Sequence, residues 1–205
     1  MRVIAIDGPV GSGKSTVAKA VAERLDLPYM ESGAMYRVAA LAALRRGIDP
    51  EGDGAADALT ELVAEVDMEV GDRVLLDGVD VTADLRSQDV GRAVSAVAAM
   101  AGVRTELVRR QREWAEGHGG GVIEGRDIGS VVFPDAELKV FLTASAGERA
   151  RRRELDETAD DLARRDLLDS TRMVSPLIVP QGAVVVDTTA RPIDEVVDEI
   201  VAMLK

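Results

Sequence analysis

Residues 8–15 read Gly-Pro-Val-Gly-Ser-Gly-Lys-Ser, and this stretch decides the fold. A glycine, four residues and then Gly-Lys-Ser is the pattern of a phosphate-binding loop, in which backbone N–H groups turn toward phosphate oxygens. The apolar run at residues 2–6 predicts a strand before the loop, and Val17, Val21 and Leu25 predict a helix after it. Strand, glycine loop and helix form the context that this pattern requires.

The loop residues have separate predicted roles in nucleotide binding. The Lys14 ammonium should reach the β- and γ-phosphates of ATP, and the Ser15 hydroxyl should lie near Mg²⁺. The N-terminus of the following helix adds a partial positive charge that favours phosphate. We therefore expect Mg²⁺ at Ser15 and ATP at Gly8, Pro9, Val10, Gly11, Ser12, Gly13, Lys14, Ser15 and Thr16.

Outside the loop, short apolar runs alternate with helical patterns. Candidate strands lie at residues 27–30, 121–123, 138–142 and 183–186, and candidate helices lie at 34–46, 103–116, 147–155 and beyond 192. Repeated strand–helix units imply a parallel sheet with helices on both faces. The sequence therefore predicts an α/β fold, a doubly wound parallel sheet of about five strands of the P-loop NTPase type.

Two further segments interrupt this alternation within one predicted domain, residues 1–205. Residues 38–90 contain short strands joined by tight turns at Gly71 and Gly78, and we interpret them as an insertion. Residues 149–175 are rich in arginine and are interpreted as a lid, whose densely charged part from 156 onward is expected to be mobile and solvent-facing. The core then comprises residues 1–37, 91–148 and 176–205.

Composition excludes several classes of protein. The sequence has no cysteine, which excludes disulfides and thiolate zinc sites, and its one histidine, His118, lies in a glycine-rich turn, so triad hydrolysis has little support. A net charge of −12 disfavours polymeric nucleic acid as a partner. No apolar stretch approaches the roughly 20 residues of a membrane span. We expect a cytoplasmic monomer without membrane or nucleic-acid partners.

A phosphate loop alone does not separate a kinase from a GTPase switch, because fold and function are separable. A guanine-binding switch carries an Asn-Lys-x-Asp or Thr-Lys-x-Asp base reader. The four lysines, Lys14, Lys19, Lys139 and Lys205, all lie outside such a setting. The other motifs of the chain are therefore needed to distinguish a kinase from other P-loop proteins.

Several ordered motifs make the chain similar to one kinase family. Ser32–Arg37 reads Ser-Gly-Ala-Met-Tyr-Arg, Glu124–Gly129 reads Glu-Gly-Arg-Asp-Ile-Gly, and the pairs Arg164-Arg165 and Ser175-Pro176 follow in order. With Asp7-Gly8-Pro9 before the loop and the run at 169–172, the chain closely resembles the bacterial cytidylate kinases over essentially its whole length. The resemblance implies ATP-dependent phosphorylation of CMP and dCMP.

The resemblance also implies roles for individual residues. Positions that hold the monophosphate are matched by Ser32, Tyr36 and Arg37, and positions that read cytosine are matched by Ser95, Arg104 and Asp127. The acceptor phosphate clamp is matched by Arg126 and Arg172, the ribose positions by Arg165 and Asp169, and the lid arginines by Arg149 and Arg153. A guanidinium fork fits two phosphate oxygens, which supports an arginine clamp on physical grounds. The implied catalytic residues are Lys14, Arg126, Arg153 and Arg172.

Some features depart from the family pattern or have simpler interpretations. Glu31 stands where many members have Asp, and the segment between Arg153 and Arg165 is shorter than expected. Arg151 and Arg152 are equally compatible with a solvated helix face, and we expect the arginines at 109, 110 and 112 at the surface. Kinases for UMP, AMP or shikimate, and a nucleotide-binding module without phosphotransfer, remain alternatives.

Overall fold

The computed structural model describes residues 1–153 and 159–204, which form two compact units. We call Met1–Met30 with Trp114–Lys205 the sheet unit, and Glu31–Glu113 the insert unit. These bounds differ from the predicted limits of the insertion and the lid. The predicted functional division, with an insertion at 38–90 and a lid at 149–175, stays a prediction.

The sheet unit is built on a five-stranded sheet in the described residues, as the sequence predicts. The strands are β1 (Arg2–Asp7), β2 (Tyr29–Glu31), β6 (Gly120–Gly125), β7 (Leu138–Thr143) and β8 (Val184–Asp187). Their order in the sheet is β2-β6-β1-β7-β8, and β1 pairs in parallel with both β6 and β7, while β7 pairs in parallel with β8. The phosphate loop thus leaves the central strand, at the edge where parallel strands present their carboxyl ends.

Apolar residues of the strands and of two helices form the core of this unit. The helices are α1 (Lys14–Leu25), α6 (Ala146–Arg153), α7 (Ala159–Thr171) and α8 (Ile193–Ala202), and α5 (Ala101–Gly117) enters this unit at Trp114. Ile4, Ile6 and Leu142 of the sheet are fully buried, and they pack in one cluster with Val21 of α1 and Ile200 of α8. Near-continuous burial along β1 is what a parallel sheet covered on both faces requires.

The insert unit combines helices with a small antiparallel sheet. The elements are α2 (Ser32–Arg45), α3 (Ala55–Glu65), β3 (Met68–Val70), β4 (Val74–Leu76), β5 (Val79–Asp80), α4 (Gln88–Ala99) and the start of α5. The three strands have the order β3-β4-β5, and residues Asp77 and Gly78 turn the chain between β4 and β5 with φ of 50° and 77°. Two positive φ values are typical of the tight turn that joins hairpin strands.

Residues Ala159–Thr171 of the charged segment form helix α7. The side chains of Asp166 and Asp169 are 22% and 13% exposed and each pairs with an arginine, but most of the described side chains of the segment are exposed, as expected. The expected mobility of the segment stays a prediction. In the described parts of the chain, no helix is long and apolar enough to span a bilayer.

Candidate active site

The phosphate loop adopts a backbone that only glycine allows at its key positions. Gly8, Gly11 and Gly13 have φ of 152°, 75° and 88°. A Cβ on Gly8 would lie 2.2 Å from the Leu142 carbonyl oxygen, and one on Gly11 would lie 2.9 Å from the Arg149 carbonyl oxygen. Gly13 precedes α1 without a side-chain cap, so the first N–H groups of that helix are left for a ligand.

The side chain of Lys14 contacts the backbone of its own phosphate loop. Its Nζ donates a 2.9 Å hydrogen bond to the Pro9 carbonyl oxygen, and the residue is 8% exposed. Burial, reinforced by the positive charge of Arg126, lowers the pKa of Lys14 to about 7. An anion arriving at the loop would reverse this effect, because it favours the charged ammonium.

Ser15 contacts an acidic residue that the sequence reasoning did not assign. The Ser15 hydroxyl donates to Oε1 of Glu124 over 2.8 Å, and Glu124 is 4% exposed at the end of β6. Its position on the strand next to the loop strand could have identified it, since such proteins hold Mg²⁺ with the loop Ser and a strand-end carboxylate. Both groups are hard oxygen donors and fit Mg²⁺.

No cluster of three or more metal-ligating side chains occurs in the described part of the chain. Mg²⁺ at kinase sites keeps several waters and binds through one or two carboxylates together with substrate phosphates. Ser15 and Glu124 together would fit this mode of binding.

Arg126 and Arg172 converge on one carboxylate beside the phosphate loop. Nε of Arg126 lies 3.3 Å from Oδ2 of Asp169, and Nη1 of Arg172 lies 3.6 Å from Oδ1 of the same residue. Arg126 also donates to the Gly8 carbonyl oxygen at 3.1 Å, and Arg172 donates to the Ser175 carbonyl oxygen at 2.8 Å. The structure thus brings together three of the predicted acceptor residues.

Helices α6 and α7 hold the tip of the phosphate loop. Arg149 donates to the Val10 carbonyl oxygen at 3.1 Å and pairs with Asp166, whose Oδ1 accepts from the Val10 N–H at 3.4 Å. Arg152 donates to the carbonyl and hydroxyl oxygens of Thr188 at 2.8 and 3.0 Å. Sequence reasoning missed Asp166 as a partner of the loop, and it left Arg152 undecided.

The side chains of Arg153 and Arg165 lie outside the described residues, although their backbones belong to α6 and α7. Their predicted roles at the transferred phosphoryl group and the ribose stay predictions.

The insert unit carries the other predicted substrate residues. Arg104 is 3% exposed, lies 5.1 Å over the ring of Tyr36 and donates to the Ala98 carbonyl oxygen at 3.0 Å. Arg37 forms a 2.6 Å ion pair with Glu31, the residue that departs from the family pattern. Ser32 is buried at the start of α2, and Ser95 is half-buried on α4.

Asp127 belongs to the sheet unit and is 4% exposed. It precedes a short turn of π-helix, Ile128–Val132. Such turns are rare and frequently occur at functional sites. The structure therefore places Asp127 next to Arg126 at a buried, irregular end of β6.

A comparison with known families decides the assignment. The family model described as Cytidylate kinase matches residues 4–205. The chain belongs to the cytidylate kinase family. It is 47% identical to the cytidylate kinase of Mycobacterium leprae over 215 residues, with 99% of this chain and 95% of that protein covered. It is also 49% identical to that of Mycobacterium avium, with 97% and 92% covered.

Solved structures with lower identity support the fold. The shikimate kinase of Bacteroides thetaiotaomicron has a TM-score of 0.51 at 16% identity, covering 99% of this chain and 98% of that one. A sugar kinase from Janibacter sp. HTCC2649 has a TM-score of 0.53 at 16% identity, covering 100% and 94%. This family member therefore has the P-loop kinase fold that its sequence predicts.

Proposed function

We propose that this protein transfers the terminal phosphoryl group of ATP to CMP and dCMP, giving ADP with CDP or dCDP. The observation that carries the proposal is the pair Arg126 and Arg172, which engage one carboxylate while Arg126 contacts Gly8 of the phosphate loop. A cationic pair at this place suits the phosphate of an acceptor that must lie in line with the donor phosphates.

The chain's own residues act mainly by position and charge. The transition state of phosphoryl transfer is loose and carries its charge on oxygens, so fixed donors stabilise it without covalent chemistry. Lys14 and the loop N–H groups hold the donor phosphates, and the two arginines hold the acceptor phosphate. Mg²⁺, held by Ser15 and Glu124, would neutralise charge on the donor phosphates.

Base recognition is the finer part of the proposal. Cytosine offers an amino donor at N4 where uracil offers a carbonyl acceptor, so a carboxylate favours cytosine. Asp127 of the sheet unit is our candidate for that carboxylate. Ser95 and Arg104 of the insert unit are our candidates for the remaining polar edge of the base. The support is the family resemblance and the burial of Asp127 and Arg104, which makes an unmatched polar group costly.

A coupled assay of ADP formation tests the function directly. Purified protein with Mg²⁺ and ATP is given CMP, dCMP, UMP, AMP or shikimate in separate reactions. We expect CMP and dCMP to have the highest kcat/KM. The Lys14→Ala variant is the control for contaminating kinases, since it removes the loop cation. A higher kcat/KM for any other acceptor would contradict the assignment. The cytoplasmic location and the monomeric state stay predictions.

A further inference from the structure

Asp7, the last residue of β1, binds a segment distant in sequence with both oxygens of its carboxylate. Oδ1 accepts from the backbone N–H of Ile128 at 2.8 Å, and Oδ2 accepts from the backbone N–H of Gly129 at 2.7 Å. Asp7 is 0% exposed. Two short bonds from a fully buried carboxylate fix a backbone segment more firmly than neutral hydrogen bonds would.

These two N–H groups open the short π-helical turn Ile128–Val132 and therefore have no acceptor within it. At the start of an α-helix, an aspartate in the N-cap position accepts such a bond with its own side chain. Here Asp127 makes no side-chain cap bond, and Asp7 supplies the cap from the neighbouring strand. Asp7 therefore holds the start of the turn that follows Asp127.

The next residue along the loop holds the other side of the same segment. The Gly8 carbonyl oxygen accepts from Nη1 of Arg126 at 3.1 Å. Asp7 and Gly8, two consecutive residues, thus contact the segment on both sides of Asp127. Any shift of Asp7 would move Arg126 and Asp127 relative to the phosphate loop.

The charges around Asp7 are mixed. Lys14 of α1 favours its ionised form, whereas Asp127 opposes it, and burial is the largest effect and raises the pKa of Asp7 to about 6. Arg126, Glu124 of β6 and Asp169 are the other charged groups that act on Lys14. An ionised Asp7 at neutral pH keeps both oxygens as acceptors for the two N–H groups.

We propose that Asp7 is a positioning residue for the acceptor nucleotide, because it caps the turn after Asp127 and so fixes Arg126 and Asp127 against the phosphate loop. The inference rests on the proposed function, in which Arg126 binds the acceptor phosphate and Asp127 reads the base. Asp7 itself touches no substrate and acts only through these neighbours.

The Asp7→Asn variant tests the proposal, with Asp198→Asn as the control because Asp198 forms an exposed ion pair with Arg24. Asparagine keeps the shape but turns one acceptor into a donor that faces an N–H group. We expect kcat/KM for CMP to fall by about tenfold or more, as expected for a lost buried bond to a charged group. The CMP-to-UMP ratio of kcat/KM should narrow.

A structural role alone would lower the rates with CMP and UMP equally, and that result would overturn the proposal. The double variant Asp7→Asn/Asp127→Asn adds a second criterion. If Asp7 acts through Asp127, the losses of the two single variants do not add. Additive losses would also contradict the proposal. Wild-type protein without CMP kinase activity would instead refute the proposed function.

A measurement on the wild-type protein covers the case in which Asp7→Asn does not fold. In an NMR titration between pH 5 and 8, the side-chain carboxyl carbon of Asp7 and the amide protons of Ile128 and Gly129 should shift with one midpoint. Amide shifts that do not follow the Asp7 carboxyl carbon would show that the cap is absent in solution.

Discussion

The Ser15 hydroxyl donates a 2.8 Å hydrogen bond to the Glu124 carboxylate, which joins the phosphate loop to the end of the neighbouring strand β6. The Glu124→Gln variant keeps the shape but removes the charge that would hold Mg²⁺ or its bound water. We expect the affinity of Mn²⁺ for the protein–ATP complex to fall by about tenfold or more, as for other partners of a metal site. Manganese titration followed by electron paramagnetic resonance measures it. Glu137→Gln, which changes an exposed partner of Arg2, is the control. Unchanged Mn²⁺ affinity would contradict the role of Glu124.

The depressed pKa of Lys14 predicts a pH-dependent stability of the empty protein. Its folded-state pKa of about 7 lies below the unfolded value of 10.5, so the folded state binds fewer protons between these limits. The penalty for burying the ammonium is therefore full below pH 7 and declines as pH rises toward 10.5. We expect Lys14→Met to raise the Tm at pH 7 and this advantage to shrink at pH 9. The same variant should lose at least about 100-fold in kcat, because a fixed cation at the developing charge is removed.

Thermal unfolding of both proteins at the two pH values, without nucleotide, measures the effect. Lys19→Met is the control, because Lys19 is an exposed lysine of the same helix, with its Nζ 5.4 Å from the centre of the Tyr29 ring. A Tm difference that grows with pH would contradict the sign of the Lys14 shift.

The two acceptor arginines should not tolerate lysine. In Arg172→Lys or Arg126→Lys, a planar fork becomes a point charge, although the net charge is kept. We expect kcat/KM for CMP to fall by about tenfold or more in each variant, because a bidentate bond to a charged group is lost. Steady-state kinetics with Arg24→Lys as a surface control measure the difference. Normal CMP kinetics in either variant would remove that residue from the clamp.

Asp127 should determine the choice between cytosine and uracil. Asp127→Asn can donate as well as accept, so it should narrow the CMP-to-UMP ratio of kcat/KM by about tenfold, within the range for polar recognition of a substrate group. Both substrates are measured on the one variant, with the exposed Asp135→Asn as the control. An equal loss on CMP and UMP would show that Asp127 has a structural role and that other residues read the base.

Arg110 should stabilise the insert unit, contrary to its expected place at the surface. Its side chain is 16% exposed and donates to the carbonyl oxygens of Val63 at 2.7 Å and Val66 at 2.9 Å, at the end of α3. Arg110→Met should lower the free energy of unfolding by about 1–3 kcal/mol, because buried carbonyls lose a charged donor. Arg109→Met, at a site 51% exposed, should change it by less than about 1 kcal/mol. Urea unfolding compares them, and equal effects would contradict the capping role.

The family, the fold class and the five-stranded sheet were predicted from the sequence and are confirmed. The conformation of the phosphate loop from Gly8 to Ser15 depends on residues close in sequence, because its glycines permit backbone angles that other residues avoid. The partnership between Asp7 and the turn at Ile128 could not be predicted, because 121 positions separate the two residues. The hydrogen bonds from Arg110 to the carbonyl oxygens at the end of α3 were missed for the same reason. An arginine in a basic helix does not indicate which distant carbonyl groups it will contact.

The sequence and the tertiary structure determined different features of this protein, because some interactions are local along the chain and others join distant residues. The sequence by itself determined the strand–loop–helix unit around Lys14, the alternation of strands and helices and the family, because periodicity, glycine positions and ordered motifs act over short distances along the chain. Tertiary structure alone decided that Glu124 meets Ser15, that Asp169 joins Arg126 to Arg172 and that Asp166 binds the loop at Val10. Each of these contacts depends on which strand ends are neighbours in the sheet and on which residues pair with a buried charge. No single stretch of the sequence determines the neighbouring strands or the paired charges.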